Sequence, residues 1–384
     1  MDLETQIATL NAYFFFYEFA FSKNTFTPPP SSEVELADNI IWLEETLFAF
    51  QLKERVEEGT PEEEEKWFKS KILKDAKSQV SDTIKYLKAY PKIDLKNHRG
   101  QTFYLHTKYI KHIFKAIIYK PGKHLPLHCR QLKFYRSQIS GFIHLFSHED
   151  YIYVIKTFQT IPELADYLSF REKLIASNET AVAVLPEVVI VGQYVSGNLD
   201  AAPDIAFEVF AKQLQNDRKT WDMSDIIKVF PEQTIEAEFP THYVRVIAEL
   251  AKLKRNELKA FKTRFYLCAD KVEANIPTRP YRFTTPRTGC GFVFIPLTKE
   301  MLPYRRDQLK SLCGWHKYEM KLPRCVAVDF SLDNGKFFSC WCHMDFPWTE
   351  SKELEKSFSS FPYPFRPVRT SQLPLYEFGD DPTK

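Results

Sequence analysis

The sequence predicts an α/β first domain, a mixed sheet flanked by helices, followed by a second α+β domain. Three observations carry that expectation. β-Rich runs alternate with a strongly capped helix in the first half. An Asp-Asn-Gly turn between two apolar runs marks a hairpin near the C-terminus. The 384 residues also exceed the usual size of one domain. The polar break Ser177-Asn178-Glu179-Thr180 sets the expected domains at 1–178 and 179–384.

Taken in order, residues 3–22 predict one amphipathic helix, with Leu3, Ile7, Leu10, Phe14, Tyr17 and Phe21 at helical spacing. Pro28-Pro29-Pro30-Ser31-Ser32 then breaks regular structure. Residues 34–43 and 47–54 read as two strands of a tight hairpin around Glu44-Glu45-Thr46. Thr60-Pro61-Glu62-Glu63 combines an N-cap, a first-turn proline and a capping-box glutamate, so a helix is expected from 61 to about 88. Its apolar stripe is Phe68, Ile72, Ala76, Val80, Ile84 and Leu87. Strands follow at HIFKAIIYK (112–120), FIHLF and YIYVIKTF, then a helix over 161–177.

In the second half, VVIVGQYV (188–195) reads as a buried strand, 203–215 as a helix and 241–274 as a long helical stretch. GFVFIPL reads as a strand, and CVAVDFSL and KFFSCWC form a hairpin around Asp333-Asn334-Gly335. The Pro-rich tail from 361 reads as irregular.

Composition narrows the function classes. Hydrophobic residues at 44% and charged residues at 27% describe a globular chain able to bury a core. The net charge of +2 means that any polyanion site must come from local clustering. Neither G-x-x-x-x-G-K-[ST] nor G-x-G-x-x-G occurs, which argues against P-loop and dinucleotide chemistry. Seven cysteines without a tight repeated spacing argue against a secreted disulfide framework. The acidic start and the short apolar run interrupted by Glu18 fit neither a signal peptide nor a spanning helix, so a cytoplasmic protein with no membrane association is expected.

The hairpin carries the most chemistry. Gln51 and Lys53, two apart on a strand, project from one face, and the partner strand can bring Asp38 beside them. Asp38, the Gln51 side-chain oxygen and the Leu52 carbonyl could hold a hard divalent cation, Mg²⁺ or Mn²⁺, which keeps several waters. Lys53 would then orient the attacking water or stabilise charge on a scissile phosphate. The alternative reading makes Asp38 a strand-start residue bonding to backbone, and Gln51 and Lys53 the solvated face of an amphipathic edge hairpin.

These residues resemble the PD-(D/E)xK nuclease superfamily, in particular the Mrr-like branch with Gln-x-Lys. The matching stretches are ADNIIWL with Asp38, FAFQLKER with Gln51 and Lys53, and KDAKSQVSDTIKYL with Lys77 and Gln79. The resemblance covers roughly residues 1–120, reaching at most to 175. It implies a restriction-endonuclease-like mixed sheet, metal-dependent hydrolysis of phosphodiester bonds in nucleic acid, DNA before RNA, and a role as effector in restriction or antiviral defence. It implies catalytic roles for Asp38, Gln51 and Lys53, metal ligation by Asp38, Gln51 and Leu52, and a helix whose Lys77 and Gln79 face the site. Glu18 would match the family's acid from the preceding helix. Gln51 departs from the acidic form of the motif, leaving one certain carboxylate unless Glu18 or Glu35 contributes. A catalytically inactive, nucleic-acid-binding or regulatory protein is the alternative.

From 101 to 148 there is no acidic residue, while Lys108, Lys111 and Lys115 stand among aromatics, the composition of a nucleic-acid track. His124 and His128 have a zinc-compatible spacing beside Cys129, without a glutamate between them. Cys313, His316, Cys340, Cys342 and His343 fit no familiar zinc module. The second domain is expected to sense a partner, self-associate or restrain the nuclease. Any energy-dependent step would need a separate NTPase or sensor protein.

Overall fold

A computed structural model describes residues 1–22, 24–27, 33–228, 230, 241–333, 335–367 and 373–379. The proline-rich break at 28–32, Asn334 of the expected hairpin turn, and 368–372 and 380–384 of the tail lie outside the described residues. The chain forms two compact units, one of residues 1–215 with 378–384 and the other of 216–377. The division thus falls at 215/216 and not at 178. Asn178 is a non-helical kink inside one helix, Ile161–Val184, so the polar break there bends the chain without ending the domain.

Unit one opens with α1 (Leu3–Phe15), whose N-cap Asp2 accepts a hydrogen bond from the Thr5 amide. The helix expected to reach residue 22 stops here, because Phe16 takes a left-handed φ of 65° and turns the chain into strand β1 (Ala20–Ser22). Short strands β2 (Thr25–Phe26) and β3 (Val34–Glu35) pair with each other. The first expected hairpin strand is therefore split, and its second half is β4 (Asn39–Leu43). β5 (Thr46–Glu54) returns antiparallel across the Glu44-Glu45 turn.

The capping box at Thr60 and Glu63 forms as expected and starts α2 (Pro61–Trp67). The rod continues as a π-helical stretch, Phe68–Ala76, and then as α3 (Lys77–Ala89). Its apolar stripe is buried. A ribbon of β6 (Lys92–Lys96) and β7 (Thr102–His106) leads to β8 (His112–Lys120), parallel to β5. The short helix α4 (Leu127–Arg130) precedes β9 (Phe134–Ser137) and β10 (Gly141–Ser147). The six-stranded sheet runs β1-β4-β5-β8-β10-β9, with β5, β8 and β10 mutually parallel.

Two expected strands are helices. YIYVIKTF lies in α5 (His148–Thr157), because Ser147 caps its first turn and Tyr151, Val154 and Ile155 bury at helical spacing. VVIVGQYV is α6's successor: with Ile161–Val184 as α6, it forms α7 (Glu187–Ser196), ended by Gly197 at φ 79°. A Cβ at Gly192 would meet the Phe207 carbonyl oxygen at 2.0 Å, so glycine inside the helix permits that close packing. The helix expected over 203–215 reduces to a 3₁₀ turn, Ile205–Phe207, and the six-residue helix Glu208–Gln213.

In unit two, the long helical stretch is two helices, Tyr243–Ala251 and Arg255–Glu273. The sheet is β11 (Tyr281–Thr285), β12 (Cys290–Pro296), β13 (Arg324–Asp333) and β14 (Lys336–Asp345), in that spatial order. Helix Arg305–Glu319 crosses between the parallel strands β12 and β13. Phe261 is the aromatic hub of this core, packing on Phe292, Phe294 and Trp341.

Glu249, 2% exposed, sits among Lys252 (2.7 Å), Arg324 (3.0 Å) and His343 (3.6 Å). Burial alone would raise its pKa, but the His343, Lys252 and Arg324 partners outweigh burial and bring it from 4.5 to about 2. The folded value lies below the unfolded one, so its stabilisation is complete above 4.5 and is lost as pH falls toward 2. At about 1.4 kcal/mol per unit this amounts to about 3 kcal/mol. Glu249→Gln should therefore lower the melting temperature at neutral pH and flatten the acid limb of the stability profile; an unchanged profile would refute the ion cluster's role.

Candidate functional site

Asp38 precedes β4 by one residue. The register pairs Asn39 with Phe50, so one further step sets Asp38 opposite Gln51. The Asp38 side chain takes over where the strand pairing ends: its Oδ2 accepts the Leu52 amide at 2.6 Å. A residue's N–H and C=O point to the same side of a strand, so the Leu52 carbonyl faces this edge too. Lys53 Nζ lies 3.7 Å from Asp38 Oδ2.

Gln51 is 4% exposed. With its amide nitrogen inward it donates to Asp38 Oδ1 (3.1 Å), Asp38 Oδ2 (3.2 Å) and Gln79 Oε1 (3.3 Å). Turned by half a rotation, the isosteric amide presents its oxygen to the same place, the orientation needed for metal ligation. Gln79 reaches this point from the first turn of α3. Asp38, Gln51, Lys53 and Gln79 are thus brought together from three elements.

Burial raises the Asp38 pKa, opposed by Lys53 and the Leu52 amide. Glu35, at the end of β3, is also raised, first by burial and then by Asp38 and Glu4, with Lys53 opposing. Asp38 and Glu4 thus put Glu35 in a negative field, which a cation would relieve. Just outside, Asp75 is lowered first by its Lys71 hydrogen bond and further by Lys74 and Lys53.

Glu18 does not join this group. The pairing of Ala20 with Ile41 puts it level with the Leu43 end of β4, away from Asp38. There the buried carboxylate is ion-paired with Arg99. The acid that the first helix does contribute nearby is Glu4. Nothing in its sequence context distinguishes it, since its position depends on the Leu3 amide donating to Glu54 at 2.9 Å and anchoring the helix start to the end of β5.

The other expected nucleic-acid contacts scatter. Lys77 donates to the Tyr135 hydroxyl at 3.0 Å and covers its ring. Lys111 pairs with Glu45 at 2.5 Å, at the start of β5, about 20 Å along the strand from Lys53. Lys108 is exposed above the Tyr109 ring. Lys115 stands opposite Ala49, on the sheet face of Gln51 but largely desolvated, so burial lowers its pKa.

No helix among the described residues is long and apolar enough to cross a membrane. No family model, curated protein or solved structure matches this chain at a significant level.

Proposed function

We propose that the chain is a metal-dependent nuclease, with unit one a restriction-endonuclease-like domain of the Gln-x-Lys type. The observation that carries this reading is the meeting of Asp38, Gln51, Gln79 and Lys53 at the end of β5, within a helix, three antiparallel strands, a helix and a parallel strand. That order supports the fold the motif implies.

The donor set fits a hard cation: a carboxylate, a backbone carbonyl and an amide oxygen, with Glu35 in the same field. Mg²⁺ or Mn²⁺ bound there would lower the pKa of a bound water and polarise a phosphoryl oxygen. Asp38 would hold the ion through carboxylate oxygen Oδ1, while Oδ2, accepting the Leu52 amide, fixes the end of β5. Gln51 must rotate its amide to contribute oxygen. Lys53 places a positive charge where the phosphodiester becomes more negative. Nucleic acid is the substrate class, DNA before RNA.

Plasmid DNA and a structured RNA incubated with Mn²⁺ test the reading. Wild type should cleave one of them, EDTA should stop it, and Asp38→Asn should lose both cleavage and Mn²⁺ binding. Nucleic-acid binding without cleavage would instead support the inactive, regulatory alternative, for which the Gln51 amide already satisfied by Asp38 speaks. Equal cleavage by Asp38→Asn would overturn the assignment.

A further inference from the structure

Unit one carries a second group of metal-ligating side chains, far along the rod from the carboxylate site. Glu65 projects from α2, and His128 and Cys129 from α4. One ligand atom from each lies within 4.8 Å of the other two, and Glu65 Oε1 is 3.2 Å from His128 Nε2. We infer that Glu65, His128 and Cys129 form a three-residue site for a borderline-soft divalent cation of the zinc class, with the fourth position open to water or a ligand.

The chemistry of the donors selects the ion. Thiolate and imidazole disfavour Mg²⁺ and Ca²⁺ and suit Zn²⁺, while one carboxylate keeps the site from being purely soft. Metal–ligand distances of about 2.0 to 2.3 Å put tetrahedral ligand atoms roughly 3.3 to 3.8 Å apart, so a small contraction of the observed cluster suffices. Its two sides differ in mobility in a useful way. Cys129 is 4% exposed and packs with Trp67, Phe68 and Leu125, which fixes the sulfur. The His128 side chain is 63% exposed and can swing onto the ion from solvent.

Two groups compete with the metal. Lys69 Nζ holds Glu65 Oε1 at 2.6 Å, but that lysine side chain is 65% exposed and is released to water without leaving a buried charge. The Cys129 thiol must also ionise. Burial raises its pKa, Glu65 raises it further, and Lys69 opposes. Binding therefore transfers one thiol proton to solvent as the sulfur–metal bond forms, and affinity rises with pH. Glu65 also lies one residue after Glu64, which accepts the Gly122 amide at 3.0 Å. The ion would thus join α2 to the 121–133 connection at a second point, reinforcing a contact the fold already makes.

Cobalt(II) is the probe, added to the full-length protein in the presence and absence of excess Mg²⁺. In excess Mg²⁺, wild type should take up one equivalent with a thiolate-to-cobalt charge-transfer band, displaced by Zn²⁺ and of the same intensity per bound ion without Mg²⁺. Cys129→Ser should lose that band, and His128→Ala and Glu65→Gln should each weaken binding by at least about tenfold. Asp38→Asn should leave the band unchanged, which separates this site from the proposed nuclease centre. A charge-transfer band that survives in Cys129→Ser, or wild type that shows no such band at excess cobalt, would overturn the inference. Circular dichroism and melting curves establish that each variant is folded before it is scored.

Discussion

On the proposed nuclease reading, Lys53→Ala should reduce phosphodiester cleavage by roughly a hundredfold to ten-thousandfold while the protein remains folded. The ammonium is 3.7 Å from Asp38 Oδ2, and its side chain is 21% exposed, at the margin of the core. Truncation therefore removes a charge more than it opens a cavity. Two effects follow from the geometry. The transition state loses a nearby positive charge, and Asp38, already raised by burial, loses the cation that opposes that shift. Mn²⁺ titration separates them: unchanged Mn²⁺ affinity with lost cleavage assigns Lys53 to the chemical step, whereas parallel losses assign it to holding Asp38 ionised. Lys53→Arg keeps the charge and should recover part of the activity. Undiminished cleavage by Lys53→Ala would remove Lys53 from the mechanism.

Arg171→Ala should destabilise unit one by about 3–5 kcal/mol. The guanidinium is fully buried. It donates to both Glu187 oxygens (2.7 and 3.1 Å) and to the carbonyls of Lys133 (3.1 Å) and Leu145 (3.3 Å). His144 Nδ1 lies 3.1 Å from it, and Tyr167 donates to the same Glu187 carboxylate at 2.5 Å. This cluster ties α6 and α7 to β10, and deleting the arginine strips the buried Glu187 carboxylate of its two-point partner, leaving it the Tyr167 hydroxyl and the Lys133 ammonium at 3.6 Å. Although burial opposes it, the Glu187 pKa stays low because Arg171 and Lys133 are present. Removing one partner is therefore much worse than removing both: Arg171→Met with Glu187→Leu should recover a large part of the loss. Urea unfolding of the two variants measures this, and a loss below about 1 kcal/mol in Arg171→Ala would show that the cluster is not a structural anchor.

The sheet centre and the meeting of Asp38 with Gln51 and Lys53 were legible because strand alternation, a two-residue turn and a capping box are local signals. Thr60 and Glu63 mark a helix start in any context, and β5 and β8 are apolar enough to read as buried strands. The errors fall where local preference and tertiary packing disagree. Val188, Val189, Ile190 and Val191 are β-branched and favour a strand on propensity, yet Pro186, Gly197 and the close approach at Gly192 make them helical. Glu18 and Glu4 show the same limit for the site. Both are acids of the N-terminal segment, and which of them lies near Asp38 depends on where Phe16 reverses the chain and on the Leu3–Glu54 contact, neither of which has a periodic signature.

The wide-wound stretch between Trp67 and Lys77 bears on how far this scaffold tolerates length changes. Each i→i+5 turn takes about one residue more than an i→i+4 turn, so the segment acts as an angular offset between the capped start of the rod and its far end. Excising a single residue from the α-helical turns ahead of it, with the wide winding kept, would rotate everything downstream by about 100°. Gln79 would swing off Gln51, while Val80 and Ile84 would leave the sheet. Insertions and deletions that a plain surface helix would accept are therefore closed to this one, and its count of residues is as constrained as their chemical identity.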